Sequence, residues 1–283
     1  MNNKIATVVV TFNRKDSLLK NIKLLINQTT KIDKIFIIDN ASTDGTYEIL
    51  NENEILKRKD IEYIRLEENL GGSAGFYEGI KLAYEKKYDW IWGMDDDAYP
   101  NKNALQQLIS MSVKYPDIKC FWSNCNNDNL FDIEVKEVKD WMFVGFFINR
   151  KVIKNVGFPR NDFFIYHDDS EYSYRIRKKG YKILKCRDSI IEHGDFTKRN
   201  MFSKVIVGKE IKFPDMPDWK LYYYARNGIL KYKYNDLNKY KQIYITFKEL
   251  IILSIVNKKQ INIFINGIKD GLIGKTGKKF LPR

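Results

Sequence analysis

Apolar and amphipathic stretches alternate along residues 5–100 of the chain. Ile5–Thr11 is a continuous, mostly β-branched run, which is typical of a buried parallel strand. Apolar residues then recur at helical spacing between residues 18 and 26, and the order of strand and helix repeats. Further strands are predicted at 34–39, 61–66 and 90–94, with helices at 45–57, at 71–86 and after Pro100. Strands that alternate with helices predict a doubly wound, mostly parallel, Rossmann-like α/β sheet.

This alternation ends near residue 120. The later pattern predicts strands at 141–148, 182–186 and 190–193, helices at 151–156 and from Asp168, and a helical region from Asp218. We therefore divide the chain into an α/β domain, residues 1–217, and a helical C-terminal region, residues 218–283. The α/β domain has two halves, residues 1–119 and 120–217.

Positive charge is concentrated in the last third of the chain. Residues 1–196 carry 30 basic and 30 acidic side chains, whereas residues 197–283 carry 19 basic and 6 acidic ones, which gives the net charge of +13. Such an excess attracts either nucleic acid or an anionic lipid surface. Since the sequence contains no recognised nucleic-acid-binding signature, we do not expect nucleic acid as a partner.

Apolar residues are interleaved with the basic ones in residues 236–283. Tyr244, Phe247, Ile251 and Ser254 follow one line of a predicted helix, and Leu250, Ile255 and Phe264 add apolar bulk. A segment of this kind lies in a membrane interface rather than spanning the bilayer. We expect it to dock on an anionic membrane; the alternative is that its apolar side chains pack on the rest of the protein.

The cysteines indicate the cellular compartment. Cys120, Cys125 and Cys186 are an odd number without a second pair for a zinc site, so a reduced cytosolic setting fits better than a disulfide framework. No stretch approaches the roughly 20 apolar residues of a spanning helix, and the N-terminal apolar run is too short for a signal peptide. We expect a cytoplasmic protein, peripheral on the inner face of the membrane.

Polar clusters follow the predicted strands where ligands bind in open parallel sheets. The sharpest is Asp95-Asp96-Asp97, which directly follows an apolar strand. Adjacent carboxylates repel unless a cation neutralises them, and Asp95 and Asp97 point the same way on an extended chain. A hard divalent cation suits this pattern; the alternative is a solvated acidic turn.

Two further motifs carry candidate chemistry. Gly71 and Gly72 open a helix, which suits close approach of a phosphate or sugar, or marks a tight turn. Asp168 and Asp169 begin another helix, where one of them can act as a base with a lowered pKa; the alternative is a capped helix with a Glu171–Arg175 pair. His193 ends an apolar strand and is either structural or a metal ligand.

The motifs VVVTFNRKDSLLKNI, IIDNASTDGT, NLGGSAGFYEG, MDDDA, DFFIYHDDSEYSYRIRKKGYKI, IIEHGD and YYYARNGIL occur in this order. Over residues 4–235 the chain resembles the inverting GT-A glycosyltransferases of family two. The NLGGSAGF variant is similar to the bacterial galactofuranosyltransferases, with the rhamnosyltransferases as second candidates. The resemblance implies a GT-A fold, a nucleotide-sugar donor bound by residues 1–119 and an acceptor bound by residues 120–217.

The resemblance also implies roles for individual residues. Those for the nucleotide sugar are Thr11, Phe12, Arg14, Asp39, Asn69, Gly71, Gly72 and Asp96, with Asp39 on the base. Asp95, Asp97 and His193 would bind Mn2+ or Mg2+, and Asp169 would be the catalytic base. The acceptor would meet Trp141, Gly145 and Asp168.

The implied reaction moves galactofuranose from UDP-galactofuranose to a hydroxyl of a lipid-linked glycan, with a rhamnosyltransferase using dTDP-rhamnose as the alternative. A sugar-nucleotide synthesising transferase is a weaker rival, because TFNRKDS lacks the glycine-rich loop that such an enzyme places after its first strand. A basic nucleic-acid-binding module is the rival from another class. Since the chain lacks the extra domains of galactofuranan polymerases, we expect it to form a single linkage.

Overall fold

The computed structural model describes residues 3–125, 132–194, 200–235 and 237–281. The strands are β1 (Ile5–Thr11), β2 (Lys34–Asp39), β3 (Ile61–Arg65), β4 (Trp90–Asp95), β5 (Ala98–Pro100), β6 (Cys120–Cys125), β7 (Val135–Val138), β8 (Phe146–Asn149), β9 (Ile183–His193), β10 (Met201–Ile206) and β11 (Lys209–Pro214). The helices are α1 (Lys15–Ile26), α2 (Thr46–Glu52), α3 (Gly71–Glu85), α4 (Ala104–Lys114), α5 (Arg150–Val156), α6 (Asp168–Lys178), α7 (Asp218–Tyr234), α8 (Lys239–Val256) and α9 (Ile261–Ile273). Short 3-10 turns lie at Ile55–Lys57 and Lys258–Gln260.

One large sheet runs in the order β3-β2-β1-β4-β8-β6-β9-β5, and β7 also pairs with β9. The strands β1 to β4 are parallel, as the alternating pattern predicts. In this register Thr11 lies beside Asp39, and Val10 lies beside Asp95. The carboxyl ends of the three central strands therefore meet at one edge, where the polar clusters accumulate.

The second half of the sheet is mixed. The predicted strand at 141–148 begins only at Phe146, because Gly145 is left-handed (φ +77°) and donates its backbone N–H to the carbonyl of Gly93 at 2.8 Å. The predicted strands at 182–186 and 190–193 are one strand, β9, whose register against β6 shifts between Ser123 and Asn124. This irregularity separates two apolar stretches that look independent in the sequence.

Apolar side chains cover both faces of the sheet. One layer contains the buried faces of α1 and α4, and the other contains those of α3, α5 and α6. A third cluster joins α7, α8 and α9 to β11, and Phe264 is fully buried in it beside Phe213. The expectation that Phe264 adds exposed apolar bulk for a membrane is therefore wrong, because this side chain is part of the core.

Helices α7 and α9 pack closely through glycines. A Cβ atom added at Gly267 would meet the backbone of Tyr222, and one added at Gly271 would meet that of Arg226. None of the helices in the described ranges has the length and apolar character required to cross a membrane. The C-terminal helices therefore form a bundle anchored along α7.

Candidate active site

A cavity of about 360 Å³ opens at the carboxyl edge of the parallel strands. It is lined by Val10, Thr11, Phe12, Arg14, Asn40, Asn69, Gly71, Gly72, Asp95, Asp96, Asp97, Phe164, Ile165, Tyr166, His193, Trp219 and Lys220. The lining comes from the ends of β1, β2 and β4, from the start of α3, from the loop before α6 and from the start of α7. We call this cavity the donor pocket.

The acidic residues at the end of β4 differ in their surroundings. Asp96 is buried and accepts a hydrogen bond from Oγ1 of Thr11 at 2.7 Å, and burial raises its pKa to about 7. Burial and the charges of Asp97 and Asp96 raise the pKa of Asp95 well above its usual value. Like charges at such short separation favour a bound cation.

Asp97 joins the acidic turn to His193. Its Oδ1 lies 3.0 Å from Nε2 of His193, and its Oδ2 lies 2.5 Å from Nη1 of Arg14. Burial raises the pKa of Asp97, but the hydrogen bond and charge of His193 and the charge of Arg14 outweigh it, so the net shift is downward. Asp97 is thus held ionised, as a metal ligand must be.

Strand pairing brings His193 to this turn from far along the sequence. β5 and β9 are antiparallel with Ala98 opposite His193, and the N–H of Gly194 donates to the carbonyl of Asp97 at 3.0 Å. One ligand atom each from Asp95, Asp97 and His193 lies within 4.8 Å of the others. Two carboxylates and an imidazole are a donor set that fits a divalent ion such as Mn2+.

The glycines at the start of α3 have different surroundings. Gly71 is left-handed (φ +83°), and a Cβ atom there would overlap the backbone of Phe164. A Cβ atom at Gly72 would meet nothing within 4 Å, so this glycine leaves space beside the cavity. Oδ1 of Asn69 accepts a hydrogen bond from the N–H of Gly71 at 2.8 Å and holds the turn.

The loop of residues 163–167, which we call the wall loop, lies between the donor pocket and the middle of α7, where Arg226 and Asn227 contact it. Phe164, Tyr166 and His167 are left-handed, with φ between +66° and +68°. Each such residue costs about 1–3 kcal/mol unless the surroundings impose the conformation. Hydrogen bonds from Arg226 and Asn227 reach three carbonyls of this loop, which accounts for its persistence.

Asp168 and Asp169 follow the wall loop at the start of α6. Burial raises the pKa of both carboxyl groups, and the mutual proximity of the pair adds to the effect at Asp168. The expectation of a lowered pKa at this helix N-terminus is therefore wrong, because desolvation exceeds the helix dipole. The charge of Asp168 also raises the pKa of Asp95, so the two aspartates at the start of α6 and the acidic turn after β4 are electrostatic neighbours.

The neighbouring Glu171 is structural. It is buried and binds Arg175 through two hydrogen bonds of 2.8 and 3.1 Å, as the alternative interpretation of this motif predicts. The acidic cluster therefore divides into an ion pair that fixes α6 and the two aspartates that remain for chemistry.

Most of the predicted donor and metal residues lie together, but five predicted site residues are outside the described lining of the pocket. They are Asp39, Trp141, Gly145, Asp168 and Asp169. The carboxylate of Asp39 accepts hydrogen bonds from Ser42 and from the hydroxyl of Tyr63. Trp141 is buried, and its Nε1 has no hydrogen-bond partner in the part of the chain that the structure describes. The roles assigned to these residues stay predictions.

Seven lining residues were not identified from the sequence: Val10, Asn40, Phe164, Ile165, Tyr166, Trp219 and Lys220. Trp219 and Lys220 lie in the first turn of α7, beyond the predicted domain boundary at residue 217. The available signal was that the family resemblance extends past this boundary to residue 235. The division of the chain stays a prediction, but residues on both sides of it line one pocket.

Comparison with known proteins finds relatives that match the part of the chain containing most of the donor pocket. A family model described as glycosyl transferase family 2 matches residues 7–174. Galactofuranosyltransferase GlfT1 of Mycobacterium tuberculosis is 24% identical over 255 residues, which cover 81% of this chain and 82% of that protein. The UDP-Glc:alpha-D-GlcNAc-diphosphoundecaprenol beta-1,3-glucosyltransferase WfaP of Escherichia coli is 26% identical over 271 residues, covering 83% and 98% respectively.

Solved structures share the architecture. The mannosyltransferase PcManGT from Pyrobaculum calidifontis, in complex with GDP-Man and Mn2+, aligns with a TM-score of 0.61 at 13% identity and covers 97% of this chain and 76% of that chain. S. aureus TarS 1-349 in complex with UDP-GlcNAc aligns with a TM-score of 0.60 at 16% identity, covering 95% and 80%. The predicted GT-A fold class with a C-terminal helical extension is thus confirmed.

Proposed function

The chain belongs to glycosyl transferase family 2, and we propose from this membership that it is an inverting, metal-dependent galactofuranosyltransferase. Its donor is UDP-galactofuranose, and its acceptor is a hydroxyl of a lipid-linked glycan in the synthesis of a cell-surface polysaccharide. Its cofactor is Mn2+ or Mg2+. The enzyme works at the cytoplasmic face of an anionic membrane.

The observation that carries the proposal is the cluster of Asp95, Asp97 and His193 inside the donor pocket. A cation held there would neutralise charge on a diphosphate as it leaves. Arg14 and Gly72 line the same cavity. The guanidinium of Arg14 and the uncrowded backbone at Gly72 could therefore both contact a phosphate group bound there.

Each part of the donor has candidate contacts. Thr11, Phe12 and Arg14 would hold the uridine diphosphate, with Asp39, the register partner of Thr11, at the base. Asn69, Gly71 and Gly72 would lie along the sugar and phosphates, and Asp96 would meet the ribose or donor sugar. Asp168, Trp141 and Gly145 are the proposed acceptor side.

The proposed chemistry is a single displacement. Asp169 accepts the proton of the acceptor hydroxyl, and the hydroxyl oxygen attacks the anomeric carbon from the side opposite the diphosphate. A carbon–oxygen bond to the acceptor forms while the bond to the diphosphate oxygen breaks, so the configuration inverts and UDP leaves with the electron pair. Because burial raises the pKa of Asp169, this carboxylate is a stronger base than an exposed aspartate.

The choice of donor and acceptor is supported by the relatives. GlfT1 is named as a galactofuranosyltransferase, and it matches four fifths of this chain. WfaP is named as acting on a diphosphoundecaprenol-linked sugar, which supports a lipid-linked acceptor. An acceptor of that kind lies in the membrane, so the enzyme has to work at the membrane surface.

The exposed face of α8 supports such docking. Tyr240, Ile243, Tyr244, Phe247 and Ile251 follow one helical line with exposed fractions between 44% and 72%. The hairpin of β10 and β11 adds Val205 and Val207, and it forms an apolar groove with Phe247 and Ile251. Because the surrounding region carries the whole net positive charge, an anionic bilayer matches this surface in both polarity and charge.

A donor competition assay tests the proposal. Purified protein with Mn2+ receives equal UDP-galactofuranose and dTDP-rhamnose, and the released UDP and dTDP are separated by chromatography. We expect UDP to dominate, and the Asp95→Asn variant to release neither nucleotide. Preferential release of dTDP would refute the donor, and the absence of release from every nucleotide sugar tried would refute the transferase.

A further inference from the structure

The backbone carbonyls of the wall loop receive hydrogen bonds from two adjacent side chains of α7. Nδ2 of Asn227 donates to the carbonyls of Phe163, Ile165 and Tyr166 at 2.7, 2.8 and 3.1 Å. Nη2 of Arg226 donates to the same Phe163 carbonyl at 3.0 Å. Both side chains are at least 99% buried, so these bonds do not compete with bulk water.

The opposite side of the wall loop lies directly against the start of α3. The N–H of Ser73 donates to the carbonyl of Phe164 at 3.2 Å, and Oγ of Ser73 donates to the carbonyl of Arg160 at 2.7 Å. Gly71 is the residue that allows this backbone contact. The loop is therefore held from α3 on one side and from α7 on the other.

We propose that Arg226 and Asn227 are positioning residues for glycosyl transfer: they fix the wall loop so that Asp169 meets the acceptor hydroxyl and Phe164 to Tyr166 shape the donor pocket. The inference rests on the proposed function, because it assigns Asp169 as the base. Neither side chain is among the described residues that line the pocket, so both act through the loop.

The chain beyond α9 takes part in the same arrangement. Nη1 of Arg226 donates to the carbonyl of Gly277 at 2.6 Å, and the N–H of Gly277 donates to the carbonyl of Asp162 at 2.7 Å. Nε of Arg226 donates to Oδ1 of Asn227 at 2.9 Å and orients its amide. Arg226 thus links α7, the wall loop and residue 277 in one hydrogen-bonded group.

The sharpest variant is Asn227→Asp. It keeps the size of the side chain and the oxygen that accepts from Arg226, but it replaces the donor to three carbonyls with an acceptor. We expect kcat per folded molecule to fall about 10–100-fold, more than the donor KM rises, because the base is displaced. Amide hydrogen exchange at Ser73, which donates to the loop, is expected to rise at the same time.

Leu253→Ala is the matched control, since Leu253 is fully buried in the separate cluster of α7, α8 and α9. We expect it to lower the unfolding temperature but to change neither kcat per folded molecule nor exchange at Ser73. Arg226→Lys keeps the positive charge but loses the forked geometry of the guanidinium, so we expect an intermediate loss of kcat. If Asn227→Asp does not fold, Arg226→Lys is compared with Leu253→Ala instead.

If Asn227→Asp speeds amide exchange at Ser73 but leaves kcat unchanged, the inference is overturned. It is also overturned if exchange at Ser73 does not change. A kcat loss no greater than that of Leu253→Ala would also overturn it, because the role would then be structural. Failure of the proposed function is distinguishable, since the unmodified protein itself would then show no sugar transfer.

Discussion

Nη1 of Arg14 lies 2.5 Å from Oδ2 of Asp97, so a guanidinium occupies one oxygen of a proposed metal ligand. Arg14 lies directly before α1, and its side chain reaches the acidic turn after β4. An arginine in this position competes with a cation for the carboxylate, yet it can bind the diphosphate that the same cation would bind. If the proposed function holds, the pair would link metal affinity to nucleotide affinity.

The variant Arg14→Met tests this competition. Without nucleotide, we expect its Mn2+ affinity to rise about fivefold, because removing a half-exposed positive charge is worth about 1 kcal/mol. With Mn2+ present, its UDP affinity should fall. Calorimetric titration measures both, and Arg58→Met, which removes a surface partner of Asp60, is the control. Weaker metal binding by Arg14→Met would contradict the proposed competition.

Chelation tests the metal cluster itself. EDTA is expected to abolish transfer and Mn2+ or Mg2+ to restore it, because the leaving diphosphate needs its charge neutralised. His193→Gln should weaken metal binding while leaving the fold intact. The matched control is Asp188→Asn, which removes an exposed carboxylate paired with Arg187. Full activity in EDTA would exclude a metal-dependent mechanism.

The choice between the two aspartates at the start of α6 is tested by amide substitution. Asp169→Asn should lower turnover by about 10²–10⁴-fold and leave UDP binding near normal, since a general base is lost. Asp168→Asn should affect acceptor use more than the chemical step. Steady-state kinetics with calorimetry separates these effects. Near-normal turnover of Asp169→Asn beside an inactive Asp168→Asn would mean that the wrong carboxylate was assigned.

The pH profile tests the surroundings of the base. Asp169 must be ionised to accept a proton, and burial raises its pKa, so kcat should fall with decreasing pH at values above the roughly pH 4 of an exposed aspartate. The positive charge of Lys231 lowers this pKa, so Lys231→Met should move the acid limb to higher pH by on the order of one unit.

Lys233→Met, two residues away on the exposed side of α7, is the control for that shift. UDP binding with Mn2+ is measured over the same pH range, because the metal ligands also titrate. An acid limb that follows UDP binding, or one that Lys231→Met moves to lower pH, would contradict the assignment.

Membrane docking is tested with Tyr244→Ser and Phe247→Ser combined. We expect the double variant to sediment about tenfold less with anionic vesicles at low salt, because two exposed aromatic side chains no longer enter the interface. Val113→Ser removes an exposed apolar residue from α4 and serves as the control. If the double variant binds anionic vesicles as well as the unmodified protein does, or if the unmodified protein does not bind them, α8 does not dock on the membrane.

The parallel half of the fold could be predicted because its central strands β1, β2 and β4 are mostly apolar runs that end in a polar turn. The proximity of Asp95 and Asp97 follows from that pattern alone. The approach of His193 depends on the antiparallel pairing of β5 with β9, which local periodicity does not encode. The residues alone left His193 either structural or a metal ligand, and the family resemblance favoured the second.

Other features depend on burial and on distant contacts. The helix N-terminus at Asp169 suggested a low pKa, but the burial of its carboxyl group reverses the direction. The roles proposed for Arg226 and Asn227 could not be predicted from the spacing of apolar residues, because their partners in the wall loop are backbone carbonyls more than 60 residues away. Periodicity identifies the buried face of α7 but not what that face binds.

The contacts of α7 also bear on the order in which the proposed site can form during synthesis. The chain before α7 leaves the ribosome first, and it includes Asp95, Asp97, His193 and the proposed base Asp169. Trp219 and Lys220, which complete the pocket, follow later, as do Arg226 and its partner Gly277. A nascent chain that ends before α7 therefore lacks the hydrogen bonds from Arg226 and Asn227 to the wall loop and has only those from the start of α3. From the positioning role proposed for Arg226 and Asn227, we expect full transfer activity only once the chain has been translated as far as Gly277.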